Sequence, residues 1–156
     1  TTTLINRYEG LISQASILAV FVSLITGTAG NAGTQSLAVA IRRLANKDDE
    51  EKSGFAFILR ELLTGLFIGL VTGLTICLIV GLWKHNLILG FVIGMAMACA
   101  ITVATLAGSI IPMLMNKIGV DPAVASGPFI STLSDLTSVL IYFNIANLFL
   151  SFFIGK

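Results

Sequence analysis

Charge is what this sequence has least of. Of its 156 residues 11% are charged and 56% hydrophobic, where a soluble domain carries about 25% charged residues. The mean hydropathy is +0.97. Such a chain cannot furnish a water-facing surface around an apolar core, so it reads as an integral membrane protein. Histidine is almost absent too, His85 being the one example. With it go a zinc set built on histidine and a Ser–His–Asp relay, and no phosphate-binding glycine loop or nucleotide motif takes their place. Enzyme chemistry has almost nothing to stand on. The two cysteines, Cys77 and Cys99, both fall in apolar runs without ligand spacing and read as small packing residues. A net charge of +1, with no basic patch interleaved with aromatics, argues against nucleic acid. The opening Thr1-Thr-Thr-Leu-Ile-Asn-Arg7-Tyr-Glu9 lacks the basic-then-apolar order of a signal peptide. Its abrupt start reads as a fragment of something longer.

What is present is length of apolar run. Four segments suffice to span a bilayer, which takes about 20 residues each: 11–41, 55–82, 87–115 and 123–153. Polar links join them at 42–52, 83–86 and 116–122. No period-2 alternation appears, which excludes a barrel. The expected fold is an all-α membrane bundle occupying residues 1–156. Arg42, Arg43, Lys47, Lys52, Arg60 and Lys117 fall on one side, against Arg7, Lys84 and Lys156 on the other. The first side is expected to be cytoplasmic. The chain would then start and end outside, as a multi-pass plasma-membrane protein. Glu61, next to Arg60, reads as an interfacial ion pair or helix–loop contact. Asp48-Asp-Glu-Glu51 reads as a solvated acidic run, and Trp83 as an interfacial anchor.

One residue resists the bland account. Asp135 lies within Phe129-Ile-Ser-Thr-Leu-Ser-Asp135-Leu-Thr-Ser-Val-Leu-Ile-Tyr142. A carboxylate deep in a bilayer costs about 3 kcal/mol or more, so it faces water or a cation. Helical spacing puts Ser131, Ser138 and Tyr142 on its face, with Ser134 beside it. Hydroxyls alone would fit interhelical hydrogen bonding; a central carboxylate favours a wet path. Upstream, Asp121-Pro122 has the form of a helix start, and the Asp121 carboxylate could also hold a cation at the mouth. Ser126-Gly127-Pro128 is expected to break or kink that helix.

The first segment carries a second anomaly, Gly27-Thr-Ala-Gly-Asn-Ala-Gly-Thr-Gln35. Gly30 and Gly33 suit close helix packing. Asn31 and Gln35, one turn apart, suit a narrow water-lined constriction, with Gly27 and Gly30 beside them. In the second segment Gly65, Gly69 and Gly73 repeat at every fourth residue, a small-residue packing face; Gly90 and Gly94 in the third read alike. The candidate ligands are all oxygens, which favours a hard cation over copper or zinc. One carboxylate per chain cannot build a dry cage, but two across a dimer axis could face a hydrated Mg²⁺, Ca²⁺ or Mn²⁺.

These motifs carry a resemblance. Gly27 to Gln35, followed by Ala40-Ile-Arg-Arg-Leu-Ala45, resembles the second transmembrane helix of the MgtE magnesium channels. Gly119-Val-Asp-Pro-Ala123, Ser126-Gly-Pro-Phe129 and Thr132-Leu-Ser-Asp135-Leu-Thr137 resemble the fifth. The resemblance implies a homodimer of five-helix subunits in lipid, with a Mg²⁺ pore on the dimer axis. It implies that Asp135 faces a hydrated Mg²⁺ with the Ser131 carbonyl helping, that Asp121 is the acidic position at the cytoplasmic end, and that Asn31 lines the pore with Gln35, Gly27, Gly30 and Ser138 nearby. The family's first helix and its cytoplasmic N and CBS domains have no counterpart in these 156 residues. An ion-coupled secondary transporter and a non-conducting membrane scaffold remain as alternatives.

Overall fold

The computed structural model describes residues 2–46, 48 and 53–154, with side chains described for 16–46, 48 and 53–149. Lys47, the acidic residues 49–51, Lys52 and Lys156 lie outside the described residues, as does the side chain of Arg7. The described chain is helical: α1 (Thr2–Ala45), α2 (Gly54–Trp83), α3 (Leu87–Lys117), one 3₁₀ turn (Pro122–Val124) and α4 (Gly127–Ile154). Four stretches are long and apolar enough to cross a membrane: Ser16–Ala45, Gly54–Trp83, Leu87–Lys117 and Gly127–Phe149. The all-α membrane bundle expected from composition is therefore the fold.

Local chemistry sets the ends. Ser53 caps α2 by accepting from the Ala56 N–H, and Asn86 caps α3 by accepting from Leu89. His85, with φ 50°, makes the tight reversal between α2 and α3. The reversal after α3 uses Gly119, whose φ of 79° suits glycine. Asp121 does not cap the last membrane helix. Its carboxylate accepts from the Ala123 N–H at 2.9 Å and caps the 3₁₀ turn instead. The cause is Pro128, which has no N–H for the Val124 carbonyl and would clash with it in a continuous helix, so α4 starts afresh at Gly127 with the proline in its first turn.

Packing depends on missing side chains. α2 and α3 form the most extensive helix pair. Along their seam a Cβ on Gly69 would stand 2.7 Å from the Ala98 carbonyl oxygen, and one on Gly73 would overlap the Gly94 carbonyl. The predicted small-residue face is thus backbone-to-backbone contact, the only dense packing open to helices that gain nothing by hiding apolar side chains from lipid. α3 is the central helix, with Ile93, Ala96, Met97, Ala100, Ile101 and Ala104 all buried. α1 and α4 pack on it and on each other. The outward faces of α2, such as Phe67, Leu70 and Leu74, are exposed as lipid requires.

Gly73→Val is expected to destabilise the bundle by about 1–3 kcal/mol or prevent folding, through overpacking. Gly27→Ala, where nothing lies within 4 Å of the added Cβ, is expected to leave stability unchanged. Thermal unfolding in detergent compares the two.

Candidate functional site

The site grows from the crossing of α1 and α4. The two helices run antiparallel: Gly127 stands level with Thr34, and Gly30 level with Ser131 and Asp135. A Cβ on Gly30 would lie 3.0 Å from Ser131 Oγ and 3.4 Å from Asp135 Oδ1. Gly33, one turn from Gly30, lies against Ala104, two residues from the midpoint of the Leu87–Lys117 span, so Asp135 lies close to the middle of the membrane-crossing thickness. Its side chain is nonetheless exposed on the bundle surface, where Leu136 and Leu140 flank it at 61% and 56% exposure.

Around Asp135 the expected polar stripe divides. Ser131 is half-buried beside Gly30. Ser134 and Ser138 point into the bundle at 0% and 1% exposure, and neither hydroxyl has a hydrogen-bond partner there. Ser138 is therefore buried behind the Asp135 face and does not lie on it. Small size accounts for Ser134: a Cβ on Gly33 would come within 2.8 Å of its Oγ. Tyr142 is fully buried, and its hydroxyl donates to the Leu18 carbonyl at 2.9 Å, tying α4 to the far end of α1. Helical spacing put these residues on one side of α4; the width of that side spans both an open and a packed face.

On α1, Gly27, Asn31 and Gln35 are exposed, while Gly30 and Gly33 are buried under α4 and α3. Gly27 and Asn31 flank the Asp135 crossing. Asn31 and Gln35 also turn towards a cavity of about 260 Å³ on the other flank of α1, bounded by α2 and α3 and containing Glu61. Asp121 is exposed at the link before α4, one helical start away from Asp135. Since α4 begins level with Thr34, it starts about 16 Å short of the end of α1. The link before α4 packs into that offset, with Ala125 fully buried in a cluster with Leu37 and Ile130.

Glu61 departs from its expected role. Ser36 Oγ donates to its Oε2 at 2.5 Å, and Ser109 Oγ lies 3.2 Å from the same oxygen. Arg60 turns instead to a separate cavity with Arg42 and Arg43. The carboxylate thus points inward and joins α1, α2 and α3. Sequence reasoning missed this because its partners stand 25 and 48 residues away. The available signal was two isolated serines in apolar runs. Among the described residues no group of three or more His, Cys, Asp or Glu assembles.

The family model for MgtE, described as a divalent cation transporter, matches residues 22–145. The chain belongs to the MgtE family. That family comprises transporters, not enzymes. The chain is 72% identical over 154 residues to the magnesium transporter MgtE of Enterococcus faecalis, covering 99% of this chain and 34% of that protein. It is 41% identical over 148 residues to the Bacillus subtilis protein of the same name, covering 95% of this chain and 33% of that one. With the Thermus thermophilus magnesium transporter MgtE the identity is 35% over 152 residues, covering 96% and 33%. The chain spans about a third of the length of these curated relatives.

Tyr142→Phe removes one buried hydrogen bond, and about 1 kcal/mol of stability is expected to go with it. The Asp135 crossing, two turns away, is expected to keep its geometry. Unfolding in detergent reads the first effect, and cation flux in liposomes the second.

Proposed function

We propose that this chain is the ion-conducting membrane part of a magnesium transporter, working as a homodimer with its pore between two copies. The observation that carries the reading is the exposure of Asp135 at mid-membrane level on the crossing with Gly30. A carboxylate cannot face lipid there without a cost of about 3 kcal/mol or more. A second copy meeting the first along this face removes it from lipid and sets two carboxylates across one axis. Their combined charge of −2 suits a divalent cation. Gly27 and Asn31, open beside Asp135, would line the same path.

Oxygen ligands and single carboxylates favour a cation that keeps its water. Mg²⁺ dehydrates reluctantly and is usually held by one or two carboxylates with several waters retained. The names of the relatives support magnesium as the cargo. In this reading Asp135 is the selecting carboxylate, the Ser131 carbonyl assists one turn earlier, and Asp121 gathers cations at the mouth. The mouth is cytoplasmic by the excess of Arg42, Arg43, Arg60 and Lys117 on that side, and the C-terminus lies outside.

Asp135→Asn and Asp135→Ala are expected to abolish Mg²⁺ uptake while leaving a folded dimer. The measurement is Mg²⁺-dependent growth of a transport-deficient strain, paired with sizing in detergent. Uptake at the wild-type rate in either variant sinks the reading. Single-channel recording separates a channel from an ion-coupled carrier, because alternating access is too slow for resolvable unitary currents.

A further inference from the structure

Glu61 is the second carboxylate that the fold carries into the membrane. Its hydrogen-bond partner Ser36 is nine residues from the end of α1 and six from Gly30, so Glu61 lies about 9 Å along the axis from the Asp135 crossing. α1 stands between the two acids. The cavity beside Glu61 holds about 260 Å³.

The threonines in the wall of that cavity share one chemical property. Thr28 donates its hydroxyl proton to the Leu24 carbonyl at 2.7 Å, Thr64 to Arg60 at 2.8 Å and Thr105 to Ile101 at 2.8 Å. Each threonine has committed its only donor to its own helix, so what it offers the cavity is oxygen lone pairs. Glu61 Oε2 takes the Ser36 proton, Ser109 shares its single proton between that oxygen at 3.2 Å and the Thr105 carbonyl at 2.8 Å, and Oε1 accepts no hydrogen bond from the described residues. The amides of Asn31 and Gln35 add two carbonyl oxygens that can turn inward. The polar part of the lining therefore presents mainly acceptors around one carboxylate, with no cationic side chain, while Ala32, Val39, Ile68 and Ile101 make the rest of the wall apolar. Such a surface suits a ligand that is positive and presents hydrogen-bond donors on all sides.

We propose that the Glu61 cavity is a second cation site, taking a hydrated divalent cation through its water shell. This rests on the reading of the chain as a divalent-cation transporter. Six waters occupy roughly 180 Å³ at about 30 Å³ each, within the cavity volume. Val39, Ile68 and Ile101 complete the wall, leaving too few oxygens at fixed positions to replace a stripped ion's shell. Contact through water is what remains, and it matches an ion that gives up its water reluctantly. Asn31 is exposed beside the Asp135 crossing and also lines this cavity, so it supplies a polar step between the two carboxylates.

Cobalt(III) hexammine tests the site, because its inert ammine shell imitates a hydrated divalent ion and cannot be stripped. Crystals of the protein soaked in it and read by cobalt anomalous scattering are expected to show cobalt in the cavity at outer-sphere distance from Glu61. The peak is expected to persist in Asp135→Asn and to vanish in Glu61→Gln. Thr64→Val, which keeps the carboxylate and removes one acceptor, is expected to lower occupancy roughly threefold at subsaturating cobalt; it serves if Glu61→Gln does not fold. A cavity without cobalt while the Asp135 crossing is occupied overturns the proposal, as does a peak unchanged in Glu61→Gln. Cobalt in the cavity with none at Asp135 upholds it and counts against the pore reading alone.

Discussion

The bundle turns on how close α1 can come to its neighbours, and two missing side chains decide that. Gly30 lets α4 approach until Ser131 Oγ stands 3.0 Å from where a Cβ would be, with Asp135 Oδ1 in ordinary contact at 3.4 Å, and Gly33 lets Ser134 and the Ala104 carbonyl come to 2.8 and 3.1 Å one turn on. Hydrophobic burial cannot supply this order within lipid, because tails are as apolar as leucine; close van der Waals contact has to. The same closeness fixes the register of α4, and register decides which α4 residues are left outside. With Gly30 opposite Ser131 and Asp135, Ser134, Ser138 and Tyr142 turn in and Asp135 stays out. The position of the carboxylate is thus a consequence of glycine spacing on another helix.

The fold treats its two membrane carboxylates in opposite ways. Glu61 is drawn inward and receives the Ser36 hydroxyl, with Ser109 of a third helix sharing its proton between Glu61 and its own backbone, which offsets part of the cost of burying it. Asp135 receives no such support from the described residues of its own chain and stands on the surface. An acid satisfied internally can serve a folded monomer. An acid left bare at mid-membrane needs water, a cation or a further segment beside it, and a cation held between two copies, as proposed above, would meet that need.

Much of this was legible from residue order. The apolar runs located the four crossings, and the every-fourth-residue glycines of α2 marked a seam that proved to be backbone contact with α3. Asp135 stood out because a lone acid among leucines has a cost that does not depend on the fold. Legibility failed where the answer lay in distant partners. Helical spacing grouped Ser138 and Tyr142 with Asp135, but it could not tell which part of a broad polar side would be covered by α1. Asp121 looked like the start of α4, yet Pro128 moved that start six residues on. Glu61 looked interfacial because Arg60 was adjacent, and consecutive residues on a helix point about 100° apart.

The inward turn of Glu61 bears on how a polar path is built in an apolar bundle. A threonine in a membrane helix satisfies its proton on its own backbone, as Thr28, Thr64 and Thr105 do, and so folds without a partner helix. The cost of burying a hydroxyl is met locally, while its lone pairs remain free to meet whatever arrives. Acceptors can therefore be gathered along a cavity without destabilising the helices that carry them. Donors cannot, since an N–H or ammonium directed into such a space must find an acceptor or remain unsatisfied. Helices built this way favour cation-accepting surfaces over anion-accepting ones before any particular ligand is selected. In this chain the carboxylates of Asp135 and Glu61 would then set where along those surfaces a cation stops.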